Sequence, residues 1–232
     1  GPMVLIDEKN ALKSVIFING LVKKTSFFQN VSHELRTPLT LILPPLDEAV
    51  QHRPDDAQMK MASRNARRLL RLVNQLLDLQ KLRAGRRKLE IEPIDVAWFL
   101  RICSDAFQSA CDKKGVTFSM RIDEALETDA GIWIAAEIDA LEKIIFNFLS
   151  NALKFTPAGG RIEITAKADQ DAVRLSVNDT GPGIATSDMK KLFKEFSQLD
   201  STATRDHEGT GLGLALAKSL AHQLNGTVGV NS

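Results

Sequence analysis

Strong net charge, membrane-length apolar runs, clustered cysteines and internal repeats are all missing from these 232 residues. Thirty Lys+Arg oppose 29 Asp+Glu, a formal net charge of +1, so no long-range field draws in a polyanion and no nucleic-acid partner is expected. The basic clusters Arg64-Asn65-Ala66-Arg67-Arg68 and Arg86-Arg87-Lys88 sit among abundant acids and read as solvated faces. No apolar run approaches the roughly 20 residues that span a bilayer, so no membrane contact is expected here and any anchor is expected outside these residues. The two cysteines, Cys103 and Cys111, stand eight apart in a helical pattern without metal-ligand spacing; free thiols in a reducing, cytoplasmic compartment are the expectation. Gly1-Pro2 ahead of Met3 reads as the remnant of a cleaved expression tag. With 44% hydrophobic and 25% charged residues, what remains is a globular chain long enough for about two small domains.

The most informative stretch is Ser32-His33-Glu34-Leu35-Arg36-Thr37-Pro38-Leu39. Phe28, Val31, Leu35, Leu39 and Ile42 form an apolar stripe at helical spacing, and His33 falls about 140° around the axis from Phe28, on the solvent side. Thr37 lies one turn further along the His33 face, and Glu34 flanks the ring. A neutral imidazole offers one nitrogen lone pair while a neighbouring carboxylate holds the proton on the other, which makes a candidate nucleophile. Pro38 is expected to bend the helix just past the reactive position.

The pattern is helical from about Glu8 to His52, with Pro44-Pro45 expected to interrupt or kink it. Arg53-Pro54-Asp55-Asp56 reads as a turn with acidic caps, and a second helix runs to about Ala84 before Gly85 ends it. Ala62, Ala66, Leu69, Val73 and Leu76 stripe that helix, and further leucines at 70, 72, 77 and 79 widen the apolar face. Two helices cannot cover so much apolar surface, so a second copy is expected to complete a four-helix bundle. From Lys88 the texture becomes α+β. Strands are expected over Lys88–Glu92, Val116–Ile122, Ile132–Ala136, Arg161–Lys167, Val173–Asn178 and from Thr227. Helices are expected over Val96–Cys111, Asp139–Phe155 and Leu214–Leu224. The expected domains are thus 1–87 and 88–232.

Three segments of the second domain suit a nucleotide. Asn147, Asn151 and Lys154 share one helix face; amide oxygens suit an octahedral Mg²⁺ and the lysine suits phosphates. Asparagine is a poor helix-interior residue, so a pair at one-turn spacing points beyond local structure. Asp179-Thr180-Gly181-Pro182-Gly183 ends an alternating strand, where the carboxylate can accept from an exocyclic amine such as adenine's and the glycines admit a ligand to the backbone. Gly209-Thr210-Gly211-Leu212-Gly213 precedes a helix and presents backbone donors as a phosphate cradle. Its spacing is neither the dinucleotide fingerprint nor the lysine-bearing P-loop. The polar stretch from Ser197 to Glu208 reads as a lid over that cradle.

Together these boxes resemble the sensor histidine kinases of bacterial two-component signalling over nearly the whole chain. His33 to Leu39 resembles the phosphoacceptor box, Asn147 to Phe155 the asparagine box, Phe193 and Phe196 the phenylalanine box, and Asp179 to Gly183 and Gly209 to Gly213 the glycine boxes. The resemblance implies an α+β protein: a helical hairpin forming a dimeric four-helix bundle, then an α/β sandwich ATP-binding domain shared with gyrase, chaperone and mismatch-repair ATPases. It implies that His33 accepts the γ-phosphoryl group of ATP, that Glu34 is base or orienter, and that Thr37 positions water in any phosphatase reaction. It further implies Mg²⁺ on Asn151 assisted by Asn147, phosphates on Lys154 and Arg205, adenine against Phe155 and Asp179, and the phosphate chain along Gly209, Thr210, Gly211, Leu212 and Gly213. The implied partners are a second copy of the chain and the receiver domain of a response regulator.

Two features depart from the family pattern. Pro44-Pro45 is a stronger helix breaker than usual there, and Ser232 comes before the last glycine-containing strand, so a trimmed sheet edge is expected. A nucleotide-driven clamp of the same superfold and a catalytically silent scaffold are the competing readings; the His-Glu-x-x-Thr box argues against the first, and the full set of reactive residue types against the second.

Overall fold

The computed structural model describes residues 34–85, 87–123, 131–169, 172–197 and 210–232. Phe28, Val31, His33, Arg205, Gly209 and most of the expected lid lie outside the described residues. The chain forms two compact units, Gly1–Arg87 and Lys88–Ser232.

In the first unit, helix α1 (described over 34–52) and helix α2 (Ala57–Arg83) flank the turn at 53–56. Asp56 starts α2 by accepting from the backbone N–H of Gln58 and Met59, both at 3.0 Å, and Gly85 ends the run in the left-handed region at φ +62°. Leu39 packs on Val73 and Leu77, with Leu70 alongside. Polar contacts set the register between the helices. Arg36 Nε donates to Asn74 Oδ1 at 2.9 Å, and Asp47 accepts from Ser63 Oγ at 2.9 Å and from Arg67. The Arg67 guanidinium, then the Ser63 hydroxyl, hold the Asp47 carboxyl below its ordinary range.

Of the two outcomes expected at Pro44-Pro45, an interruption or a kink, the interruption does not occur: residues 34–52 are continuously helical. The carbonyls that Pro38, Pro44 and Pro45 leave without donors belong to Glu34, Thr40 and Leu41, all exposed, where water can serve them. The interhelical bonds of Arg36 and Asp47 hold the helix on either side of the pair. Leu35, Leu41 and Ile42 on α1 and Met61 and Leu69 on α2 remain exposed, Leu41 at 69%.

In the second unit, β1 (Glu92–Asp95) pairs antiparallel with β3 (Trp133–Ala136). A second sheet has the order β2 (Thr117–Ile122), β4 (Arg161–Asp169), β5 (Ala172–Asp179), its first pair parallel and its second antiparallel. Helices α3 (Val96–Lys114), α4 (Ile138–Phe155) and α6 (Gly213–Gln223) supply the rest, with a single turn, α5, at Thr186–Met189. Alternation on β4 sends Ile162, Ile164 and Ala166 into one core with Phe99 and Leu100 of α3 and Ile145 and Leu149 of α4. Each fully buried side chain of this size contributes about 1.5–3 kcal/mol. The opposite face of β4 and its neighbours carries Glu163 and Lys167 with Arg121 and Arg174, a polar surface around a shallow basin of about 380 Å³. Both cysteines are buried and free; burial, then the charge of Glu142, pushes the Cys103 thiol up to about 12.

Two strands differ from expectation. The first forms over Glu92–Asp95, not Lys88–Glu92, because the ladder with β3 selects the register that sets Ile94 opposite Ile134 and buries it. The strand expected from Thr227 does not form: residues 226–232 are irregular, with no ladder partner among the described residues, and Gly226 and Gly229 weaken any extended run there. That segment touches the fold where Ile184 N donates to Ser232 Oγ at 2.7 Å.

One buried group stands out for stability. Thr156, fully buried at the end of α4, has a hydroxyl with no hydrogen-bond partner among the described residues. Thr156→Val keeps the shape and removes the orphan, so it is expected to stabilise this unit by about 1 kcal/mol. Urea unfolding monitored on this unit reads the change, and a destabilised variant would show that the hydroxyl is satisfied.

Candidate functional site

The end of α4 organises the site. Ile144, Ile145 and Leu149 face the core, which turns Asn147, Asn151 and Lys154 to a half-buried flank. Asn147 Nδ2 donates to Lys143 O at 2.6 Å, so its amide oxygen points outward, and Asn151 makes no side-chain hydrogen bond among the described residues. Two amide oxygens a turn apart form a neutral, oxygen-only donor set. That set fits a hard divalent cation which keeps most of its waters. Lys154 Nζ lies 4.5 Å from the centre of the Phe155 ring, a cation–π contact that holds the ammonium beside the aromatic face.

The Asp179 turn meets this helix end directly. β5 finishes at Asp179, whose Oδ1 accepts from Gly181 N at 2.8 Å, leaving Oδ2 as the outward acceptor. Thr180 ties the turn to β4: its N–H donates to Arg161 O at 3.0 Å, and its hydroxyl accepts from Arg161 N at 2.9 Å. A Cβ at Gly181 would lie 2.7 Å from Asp179 Oδ1 and 3.4 Å from Phe155 O. A side chain at this position would displace the Asp179 carboxylate, so the absence of a Cβ at Gly181 keeps that carboxylate in place where the turn closes on α4. Gly183 adopts φ +75° at the far side of the same turn.

The third segment begins at Thr210. Gly211 has φ +68°, and a Cβ there would meet Phe196 C and Cα at 2.8 and 2.9 Å and Ser197 N at 3.1 Å. Leu212 is buried and anchors the start of α6, which packs on α4. Leu212 N donates to Thr210 Oγ at 3.3 Å, and α6 begins at Gly213 with no side-chain cap. Its first amides and the positive end of its dipole are thus left for an anion. Phe193 is half-buried and Phe196 is 64% exposed with φ 57°.

Of the residues singled out from sequence, Asn147, Asn151, Lys154, Phe155, Asp179, Gly181, Gly183, Thr210, Gly211, Leu212 and Gly213 belong to this unit, on segments joined by the Gly181–Phe155 approach and the α4–α6 packing. Glu34 and Thr37 belong to the helical unit, both exposed. Sequence reasoning missed the Thr180 hydroxyl and the Lys114 ammonium, which donates to Leu153 O at 2.6 Å and Lys154 O at 2.9 Å. The lysine before Gly115 reads as a cap of its own helix, and no spacing signals contact with a helix end 40 residues on.

Comparison with known proteins decides the family. Residues 136–232 match the family described as "Histidine kinase-, DNA gyrase B-, and HSP90-like ATPase", and residues 23–85 match the "His Kinase A (phospho-acceptor) domain". The chain belongs to the sensor histidine kinases. Over 90% of its length it is 36% identical to hybrid signal transduction histidine kinase D of Dictyostelium discoideum, and over 90% it is 38% identical to sensor histidine kinase TmoS of Ectopseudomonas mendocina. It spans only 14% and 21% of those two relatives. Among solved structures, full-length ShkA in complex with AMPPNP is similar with a TM-score of 0.73 and 30% identity, over 89% of this chain and 42% of that one. For a sensor histidine kinase, the second unit is the ATP-binding ATPase fold and the helical hairpin is the phosphoacceptor fold.

Proposed function

We propose that this chain is the catalytic portion of an ATP-dependent protein-histidine kinase that phosphorylates its own His33 and passes the group to an aspartate in the receiver domain of a response regulator. The observation that carries the reading is the closure of Gly181 on the Phe155 carbonyl, which sets Asp179 at the end of the helix bearing Asn147, Asn151 and Lys154. Asp179 Oδ2 would accept from the adenine amine with Phe155 against the ring, while Lys154, Arg205 and the segment Gly209, Thr210, Gly211, Leu212 and Gly213 would take the phosphates. Asn151, assisted by Asn147, would hold Mg²⁺, which supplies charge neutralisation to the phosphate oxygens. A His33 ring nitrogen attacks the γ-phosphorus; the P–N bond forms as the bond to the bridging oxygen breaks, ADP leaves, and Glu34 takes the proton from the other ring nitrogen.

The exposed Leu35, Leu41, Ile42, Met61 and Leu69 support a homodimer through the hairpin, since apolar residues on both helices are left uncovered by the single chain. Thr37, exposed one turn beyond the His33 position, would position water for dephosphorylation of the regulator. A relative 33% identical is named as an autoinducer 2 sensor kinase/phosphatase, LuxQ of Vibrio vulnificus. The ATP requirement and the buried free thiols Cys103 and Cys111 support a cytoplasmic site of action.

Incubation with γ-labelled ATP and Mg²⁺ is the test. The expected product is acid-labile, alkali-stable label on the protein, with an Asn151→Asp variant labelled at least about tenfold more slowly, because a carboxylate beside the phosphates replaces a neutral amide. Label stable to acid, or no label at all, would refute the reading.

A further inference from the structure

We infer that Lys114 is a positioning residue for the adenine end of the nucleotide site, an inference that rests on the proposed placement of adenine against Phe155 and Asp179. Lys114 ends α3, half-buried, immediately before Gly115. Its ammonium donates to the carbonyls of both Leu153 and Lys154, which the last turn of α4 leaves without backbone donors. The neighbouring orphan, Ala152 O, is served by Thr156 N at 2.9 Å. A positive charge also sits well at the negative end of the α4 dipole. The next residue adds a second tie, because Gly159 N donates to Gly115 O at 2.7 Å. The end of α3 therefore holds the end of α4 from both sides of Phe155.

Contacts continue from there to the base-reading carboxylate. Lys154 O belongs to the peptide unit that carries Phe155 N, so the bond from Lys114 fixes the plane from which Phe155 projects. The Phe155 carbonyl is the surface against which Gly181 closes, and Gly181 N is the donor that orients Asp179 Oδ1. Removing the ammonium frees two half-buried carbonyls and lets the Phe155 peptide turn toward water, which moves the aromatic face and the Asp179 turn relative to each other. Lys113, exposed and one residue earlier, touches none of these groups in the described residues and serves as the control.

The readout is base selectivity. Inosine triphosphate carries an oxygen where ATP has its exocyclic amine, so the ratio of kcat/KM for ATP over inosine triphosphate measures the Asp179 contact. That ratio does not depend on the folded fraction, which scales both rates alike. Lys114→Met is expected to lower the ratio about tenfold, chiefly through KM for ATP, with kcat at saturating ATP within about twofold of the parent and Lys113→Met unchanged. Lys114→Gln, which keeps a shorter neutral donor, should fall between. An unchanged ratio in both Lys114 variants, with rates either preserved or lowered in proportion, would make Lys114 a structural brace only and overturn the inference. Asp179→Asn separates the two levels: if it keeps the parent's ratio, the adenine placement itself fails, whatever Lys114 does.

Discussion

A His33→Gln protein is expected to take no label from γ-labelled ATP while binding nucleotide as the parent does. Glutamine fills similar space and is polar, so the substitution changes the chemistry of the side chain more than its bulk. What it lacks is a ring nitrogen whose lone pair can attack phosphorus while the second nitrogen releases a proton to Glu34. Removing a nucleophile outright suppresses the chemical step by roughly a thousandfold or more. Nucleotide binding depends on the second unit, whose residues the substitution does not touch. Parallel label counting and titration with a fluorescent ATP analogue read the two properties separately. Label retained on the variant would place the acceptor elsewhere, and lost nucleotide binding would show that His33 acts on the ATP site itself.

Gly211→Ala should have the next largest effect. At φ +68° an alanine pays about 1–2 kcal/mol for the left-handed conformation alone. Its methyl would also sit 2.8 to 3.1 Å from backbone atoms of Phe196 and Ser197, which cannot rotate aside as a side chain could. The turn must open, and with it the approach to the uncapped start of α6, where the phosphates are proposed to bind. We expect nucleotide affinity to fall at least about tenfold, with unfolding of the second unit shifted to lower urea. Calorimetric titration with ADP and Mg²⁺ checks it; parent-like affinity would show that this turn does not shape the phosphate site.

Periodicity and punctuation made the helical framework legible before any coordinates. Asp56 and Gly85 bound α2 as a cap and a left-handed stop should, and the helices expected over Val96–Cys111 and Asp139–Phe155 form as α3 and α4 with ends shifted by at most three residues. Local pattern failed where a partner decides. The alternation at Lys88–Glu92 is genuine, but pairing with Trp133–Ala136 shifted the strand to Glu92–Asp95 despite Pro93. Pro44-Pro45 signals a break by its own chemistry, and exposure of the deprived carbonyls together with the bonds of Arg36 and Asp47 to α2 overrode it. In the candidate site, the asparagine face and the glycine turns were readable because each is a local motif. The roles of Lys114 and Thr180 were not, since each comes from contact between segments far apart in sequence.

The approach of Gly211 to Phe196 and Ser197 has a further consequence for how such proteins can diverge. The chain departs at Ser197 and returns at Gly211 to nearly the same point, so the stem of the intervening excursion is already fastened and most of its ring-closure entropy is spent. Doubling the residues in such an excursion costs only about 0.6 kcal/mol more. Sequence between those two points can therefore lengthen or shorten at little thermodynamic expense, leaving the surrounding domain as it is.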